Sequence, residues 1–260
     1  KYDNPLYARA SAISPVKLTS LYAAGGYDLF AGVEAYGEVL FNRRESEQYG
    51  LRQFFPSINL ANPNNPFGTT LGTSLQPIIP LKSDGNQQVD YFRVVGGLKG
   101  TINVNGGWDW DIYAQYSKSD ADYYGDFIYN DRVTATIGAS PCNQAAITIS
   151  GGQCSSLPTG VRWFSRDVIS GNFSDAEKSF LFGRSHGNTT YEQKMVEGTI
   201  AGDLFTLPAG KVGAAVGFAL RKDEIDDTPD YNERNGNLWG SSAAGRTAGS
   251  DTVKEVFGEV

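Results

Sequence analysis

Apolar and polar positions alternate along much of this chain with a period of two. Phe92, Val94, Gly96, Leu98, Gly100, Ile102 and Val104 fall on one side, and Tyr91, Arg93, Val95, Gly97, Lys99, Thr101 and Asn103 on the other. Successive side chains of a β-strand point to opposite faces, so this stretch predicts a strand with one apolar and one mostly polar side. Asn105-Gly106-Gly107 follows, residues that accept positive φ and predict a tight turn. The chain then returns with Trp108, Trp110, Ile112, Ala114 and Tyr116 on the apolar side and Asp109, Asp111, Tyr113, Gln115 and Ser117 opposite. A slip of one residue would carry two aspartates into the apolar layer, so the register is tightly specified.

The same layout recurs. Val196, Gly198, Ile200, Gly202 and Leu204 alternate with Glu197, Thr199, Ala201 and Asp203. A turn is predicted at Leu207-Pro208-Ala209-Gly210, after which Val212, Ala214, Val216, Phe218 and Leu220 face away from Gly213, Ala215, Gly217, Ala219 and Arg221. An earlier hairpin is predicted from Lys17–Ala24 through a turn at Gly25-Gly26-Tyr27-Asp28. Its second strand has Val33, Ala35, Gly37, Val39 and Phe41 on one side and Glu34, Tyr36, Glu38, Leu40, Asn42 and Arg44 on the other. A last strand begins near Val253, which brings the expected total to about seven.

Long polar segments, roughly 45–88, 121–189 and 225–252, separate the hairpins. Connections in compact soluble domains have a median of about 4–6 residues, whereas outer-membrane barrels pair short periplasmic turns with long extracellular loops. The expected class is therefore all-β, an antiparallel transmembrane β-barrel. A closed bacterial barrel has an even number of strands and at least about eight, so residues 1–260 are expected to form part of a larger barrel domain. The expected lipid-facing residues are Phe92, Val94, Leu98, Ile102, Trp108, Trp110, Ile112, Val196, Ile200, Leu204, Val212, Val216, Phe218 and Leu220. The expected lumen-facing ones are Glu34, Glu38, Arg44, Arg93, Lys99, Asp109, Asp111, Glu197, Asp203 and Arg221. Trp108, Trp110 and Phe205 lie beside short turns, as an interfacial aromatic girdle would. The soluble alternative is a large β-sandwich, which also alternates; strand length and the short–long connection pattern weigh against it.

Composition sharpens this picture. The mean hydropathy of −0.34 is that of an ordinary soluble protein, and no apolar run approaches the ~20 residues of a helical span. A barrel escapes that test because only every second strand residue meets lipid. Fourteen Tyr, fourteen Phe and 31 Gly suit strands, belts and turns. The net charge of −7 argues against a nucleic-acid partner. No secretory signal opens the sequence at Lys1, and the expectation is that an N-terminal part of the protein precedes it.

Candidate chemistry is sparse. Cys142 and Cys154 share one polar segment and are expected to form a disulfide, since the single His and two thiolates make a poor metal set. His186, in Arg184-Ser185-His186-Gly187, reads as a solvated loop histidine, and no GxSxG, phosphate-loop or HExxH motif is present. No catalytic site, cofactor or enzymatic activity is expected. Asp223, Glu224, Asp226, Asp227 and Asp230 form an acidic run that could hold Ca²⁺, but without the D-x-D-x-D-G order the default is a solvated rim.

Several segments resemble barrel strands of TonB-dependent outer-membrane receptors. They are VEAYGEVLFNRRES (33–46), GWDWDIYAQY (107–116), GTIAGDLFTLPAG (198–210) and VKEVFGE (253–259). Asn62-Pro63 and Asn65-Pro66 resemble outer-loop segments of that family. The resemblance implies a barrel of twenty-two strands, an N-terminal plug and further C-terminal strands outside these residues, and residence in the Gram-negative outer membrane. It implies active import of a scarce iron chelate, vitamin or saccharide captured by extracellular loops and driven by the inner-membrane TonB complex. The other classes are a passive porin, a soluble or surface-attached β-sheet binding protein and a barrel-borne hydrolase.

Overall fold

A computed structural model describes residues 5–30, 32–104, 106–156 and 162–260. Among the described residues nine strands occur in chain order: β1 (Val16–Phe30), β2 (Val33–Gln48), β3 (Leu51–Phe54), β4 (Ile79–Lys82), β5 (Gly85–Ile102), β6 (Trp108–Ile128), β7 (Phe182–Leu207), β8 (Gly210–Thr228) and β9 (Thr247–Glu259). Seven of them form one antiparallel sheet ordered β1-β2-β5-β6-β7-β8-β9, and β3 and β4 pair separately. The sheet does not close on itself: β1 and β9 are its free edges, and every residue of β1 is exposed. Among the described residues no helix is long and apolar enough to cross a membrane.

The hairpins obey the alternation. Leu98 pairs with Ile112, Ile112 with Gly198, and Gly198 with Phe218, while on the other face Lys99 pairs with Asp111 and Asp111 with Thr199. Two features keep the apolar face from being a hidden core. Ile112, Val216 and Leu220 remain 40, 51 and 46 % exposed, so no second sheet or helix layer covers them. Some aromatic rings on this face lean across glycines of the neighbouring strand. A Cβ added at Gly198 would sit 2.6 Å from the Phe218 ring, and one at Gly202 equally close to Trp108. Tyr36 covers Gly97 in the same manner on the polar face. These glycines supply room for a cross-strand aromatic, a device that holds register.

The strands are much longer than the alternation shows. β6 runs 21 residues and β7 runs 26, and Ala121–Ile128 pairs with Phe182–Thr189 inside the segment read as loop. His186 therefore lies on β7 rather than in a loop. The first turn is also displaced: Gly25–Tyr27 pair with Ala35–Gly37 within the ladder, and the chain reverses around Gly32, whose φ is 81°. The backbone pairing of β1 with β2 carries those residues through, whatever their turn propensity. At the second turn Gly106 and Gly107 have φ of 102° and 96°, as expected, and Asn105 lies outside the described residues. Val104 falls just beyond the end of β5.

The boundary between apolar and charged positions follows an oblique line across the sheet. The last apolar residues on that face are Phe41, Phe92, Tyr116, Val196, Leu220 and Val256 on β2, β5, β6, β7, β8 and β9. Phe41 pairs with Phe92, and Val196 with Leu220. Phe92, Tyr116 and Leu220 instead pair with Lys118, Lys194 and Lys254, so at each of those strand pairs the boundary advances by two residues. The turn ends advance in the same direction. Val33, the first residue of β2, pairs with Gly100, short of the β5–β6 turn, and Trp108 pairs with Gly202, short of Leu207.

Beyond the far ends of the strands the three polar segments fold together. Phe54, Ile58 and Ile79 from the first meet Ile128, Val133, Ala135, Ile147, Phe164, Val168, Phe180 and Leu181 from the second in one buried cluster. Trp239 from the third packs edge-on against Phe54 at 4.8 Å. Short helices at Gly68–Leu71, Asn130–Thr136, Arg166–Ile169, Asp175–Leu181 and Tyr231–Arg234 supply this cap. The main hydrophobic interior of the molecule is thus in the segments that read as polar loop.

Candidate binding surface

The polar face of the sheet is a lattice of mutually satisfied groups. Glu38 lies 3.8 Å from Arg93, whose Nε donates to Gln115 Oε1 at 2.8 Å. Gln115 Nε2 donates to Gln193 Oε1 at 2.9 Å, and Gln193 Nε2 to Asp223 Oδ1 at 2.9 Å. Arg221 Nε closes the relay on Asp223 Oδ2 at 2.8 Å, so it crosses five strands. Glu34 pairs with Lys99 at 3.2 Å, Tyr36 donates to Asp111 at 2.9 Å, and Tyr113 donates to Glu197 at 3.0 Å. Most links follow from register, since residues directly opposite, or one rung away, on one face lie within reach of long polar side chains; Tyr36 instead reaches across Gly97 of β5 to Asp111 on β6.

The structure sets every expected lumen residue on this face. Glu38, Arg93 and Arg221 share the relay, and Glu34, Lys99, Asp111 and Glu197 make pairs beside it. Arg44 stands apart near the cap, donating to Gln87 at 3.0 Å. Asp109 accepts from Thr101 at 2.7 Å, and Asp203 pairs with Lys211 at 2.6 Å near the turns. An open depression of about 780 Å³ at the turn end is lined on its polar side by Glu34, Lys99, Thr101, Asp109, Asp111 and Thr199. The expected lipid-facing residues occupy the opposite face, with Leu204 in a bulge between Asp203 and Phe205. Over Gly198 that face has a shallow apolar groove of about 440 Å³ between Trp110, Ile112, Val216 and Phe218.

The cap is fixed by buried polar staples. Asn62 Nδ2 donates to the Gly138 carbonyl at 3.1 Å and Asn64 Nδ2 to the Phe164 carbonyl at 2.7 Å, joining the Asn-Pro segment to the second one. Asn237, 1 % exposed, accepts from the Asp131 N–H at 2.8 Å and ties in the third. Arg132 stacks 3.9 Å over the Tyr129 ring and donates to the Phe180 carbonyl at 2.9 Å. Burial works to raise the Asp131 carboxyl pKa, but N–H donors from Ser150 and Ile149 outweigh it and hold the group below its ordinary value. At the rim, Arg9 above all, with Lys82 and the Gly50 N–H, lowers Asp84 to about 2. Sequence reasoning missed these residues; the Asn-Pro pairs were the one signal that pointed to them.

Cys142 and Cys154 are joined as a disulfide, with Cα atoms 5.8 Å apart, at the edge of the cap core. The acidic run does not converge, because β8 extends to Thr228 and sends its carboxylates to alternate faces. Asp223 ends the polar relay and Asp227 accepts from Thr189 and Tyr123; on the other face Glu224 pairs with Lys222 and Asp226 with Arg246. Asp230 caps the helix at Tyr231–Arg234. Among the described residues no group of three or more His, Cys, Asp or Glu is placed to hold a metal ion. His186 Nε2 lies 2.7 Å from Asp122 Oδ1, and its ring stacks on Tyr124 at 4.5 Å. The neighbouring Ser185 hydroxyl donates to the Gly125 carbonyl rather than to the imidazole.

No family model matches this chain, and no curated protein matches it. What the arrangement offers chemically is a polar wall and a rigid cap.

Proposed function

We propose that these strands form a wall sector of a transmembrane β-barrel in a Gram-negative outer membrane, polar face inward and cap outside the cell. The oblique apolar boundary carries this reading. From β2 to β9 it advances by three steps of two residues over five strand pairings. At about 3.3 Å per residue and 4.8 Å per strand that is roughly 20 Å of rise over 24 Å, a slope of about 40°. Barrel strands tilt by about 35–45°, so a level membrane plane would cross the ladder along such a line. The outward apolar stretch from Phe92 to Ile102, corrected for that tilt, is about 25 Å tall, the height of a barrel's apolar band. Free edges at β1 and β9 call for further strands, as a larger barrel would supply.

Within such a barrel, we favour a receptor that captures a scarce ligand at its cap and imports it with energy from the TonB complex. Support comes from the resemblance of the strand segments, from the rigid cap and from the polar inner wall. Arginine at Ile112, midway along the apolar band, tests the membrane assignment. Folding of the full protein into lipid vesicles, followed by urea titration, should show a loss of about 2–4 kcal/mol, against near zero for Gln115→Arg on the inner face. Equal effects would overturn the assignment. Ligand accumulation in cells that stops when the proton gradient is collapsed supports the receptor; accumulation indifferent to it means a passive pore.

A further inference from the structure

The charges just past the apolar boundary are ordered by height. The first charged residue on that face is Arg43 on β2, Lys118 on β6, Lys194 on β7, Lys222 on β8 and Lys254 on β9, with Asp90 on β5 the exception. One rung further from the apolar band the sign reverses, to Glu45, Asp120, Glu192 and Glu224. The cations follow the same oblique line as the boundary itself. Their side chains are accessible, 43 % for Arg43, 39 % for Lys118, 58 % for Lys194 and 47 % for Lys222. Lys118 lies 3.4 Å from Asp120 and Lys194 3.9 Å from Glu192, loose pairs that a stronger anion can replace, whereas Arg43 is held by both oxygens of Asp90 at 2.7 Å and Lys222 pairs closely with Glu224.

On the membrane reading above, this row is level with the edge of the hydrocarbon, where lipid phosphates lie. Snorkelling alone asks only that a cation reach water and sets no preference for acids in the next rung. We propose that the row is a docking surface for the phosphate groups of anionic lipid headgroups in the leaflet on the cap side. Phosphate oxygens take charge-assisted hydrogen bonds chiefly from Lys118, Lys194 and Lys254, with Arg43 and Lys222 completing the row beside their carboxylate partners. The acidic rung above partly neutralises the cations, which moderates their hold on phosphate, and limits how far the headgroups climb the strands.

The test is relative association of spin-labelled phosphatidic acid and phosphatidylcholine with the full protein in phosphatidylcholine nanodiscs. Wild type should prefer phosphatidic acid at least about fivefold, the effect of one lysine near an anionic surface. Replacing Arg43, Lys118, Lys194, Lys222 and Lys254 by Gln should bring the ratio near unity, and Lys99→Gln on the inner face should leave it unchanged. Should the five-fold variant fail to fold, Glu192→Gln with Glu224→Gln gives a second reading, in which the preference should rise. Equal association in wild type, or a preference that survives removal of the row, overturns the proposal. Loss of the preference in millimolar inorganic phosphate would mean that the row takes free phosphate, and would overturn it too. A protein that will not enter nanodiscs at all sinks the membrane reading first, a distinct failure.

Discussion

Replacing Gly97 by alanine would drive a methyl group into the Tyr36 ring, to 2.7 Å from Cε1. The ring is a flexible end, but it is not free to move, because its hydroxyl is bound to Asp111 at 2.9 Å. Overpacking costs about 1–3 kcal/mol when the neighbour must shift. Swinging the ring aside also breaks a hydrogen bond to a charged acceptor, about 1.5–3 kcal/mol in a dry site and about half that here, where water can reach the face. Gly97→Ala should therefore destabilise by roughly 2–3 kcal/mol. Tyr36→Leu removes both the obstacle and the bond, so Gly97→Ala in that background should cost below about 0.5 kcal/mol, and the double-mutant cycle should show strong coupling. Urea unfolding of the full protein in vesicles, followed by tryptophan fluorescence, measures all four states. Additive effects, or a Gly97→Ala variant as stable as wild type, would refute the idea that a cross-strand ring over glycine holds β2 and β5 in register.

Two further outcomes are expected in the cap and at its rim. Replacing Cys142 and Cys154 by Ser opens a short loop, which should loosen the cap by about 2–3 kcal/mol; hydrogen exchange should quicken over 131–137 and 164–168 while β5 to β8 stay protected. Asp84 is held near 2 against an ordinary 3.8, so its tie to Arg9 is fully present above about pH 4 and is lost as pH falls through 2. A spin label at residue 7 should become mobile over that window, and in Asp84→Asn it should be mobile at every pH.

The hairpins around Ile112 and Val216 were legible because large apolar residues recur at every second position, opposed by polar residues around Ile112 and by Gly, Ala and Arg around Val216. Nearer the cap the same strands go on, but Asp120, Asp122 and Tyr124 on one face oppose Ser119, Ala121 and Tyr123 on the other. With both faces wettable the period-two signal vanishes, although the backbone pairing does not. The displaced first turn has a different cause: Gly25-Gly26 carries strong turn chemistry, which the ladder to β2 overrides. The cap was illegible because Phe54, Ile58, Ile79, Phe164 and Val168 sit in short apolar runs of one or two residues with no helical or strand period, and only long-range contact gathers them. On the polar face the alternation puts Gln115 on the right side but gives it no role, and it does not assign Gln193 and Asp223 there, since a neutral relay carries no charge signature and Asp223 lies within an acidic run.

The gathering of three distant stretches around one buried cluster has an evolutionary corollary. The surface of the cap can drift freely only if its change leaves Asn62, Asp131, Asn237 and their carbonyl and amide partners in place. Exchange of a single stretch between relatives would strand those groups without their mates, whereas exchange of all three together would transplant a working unit. Variation in the cap is then inherited in blocks rather than loop by loop.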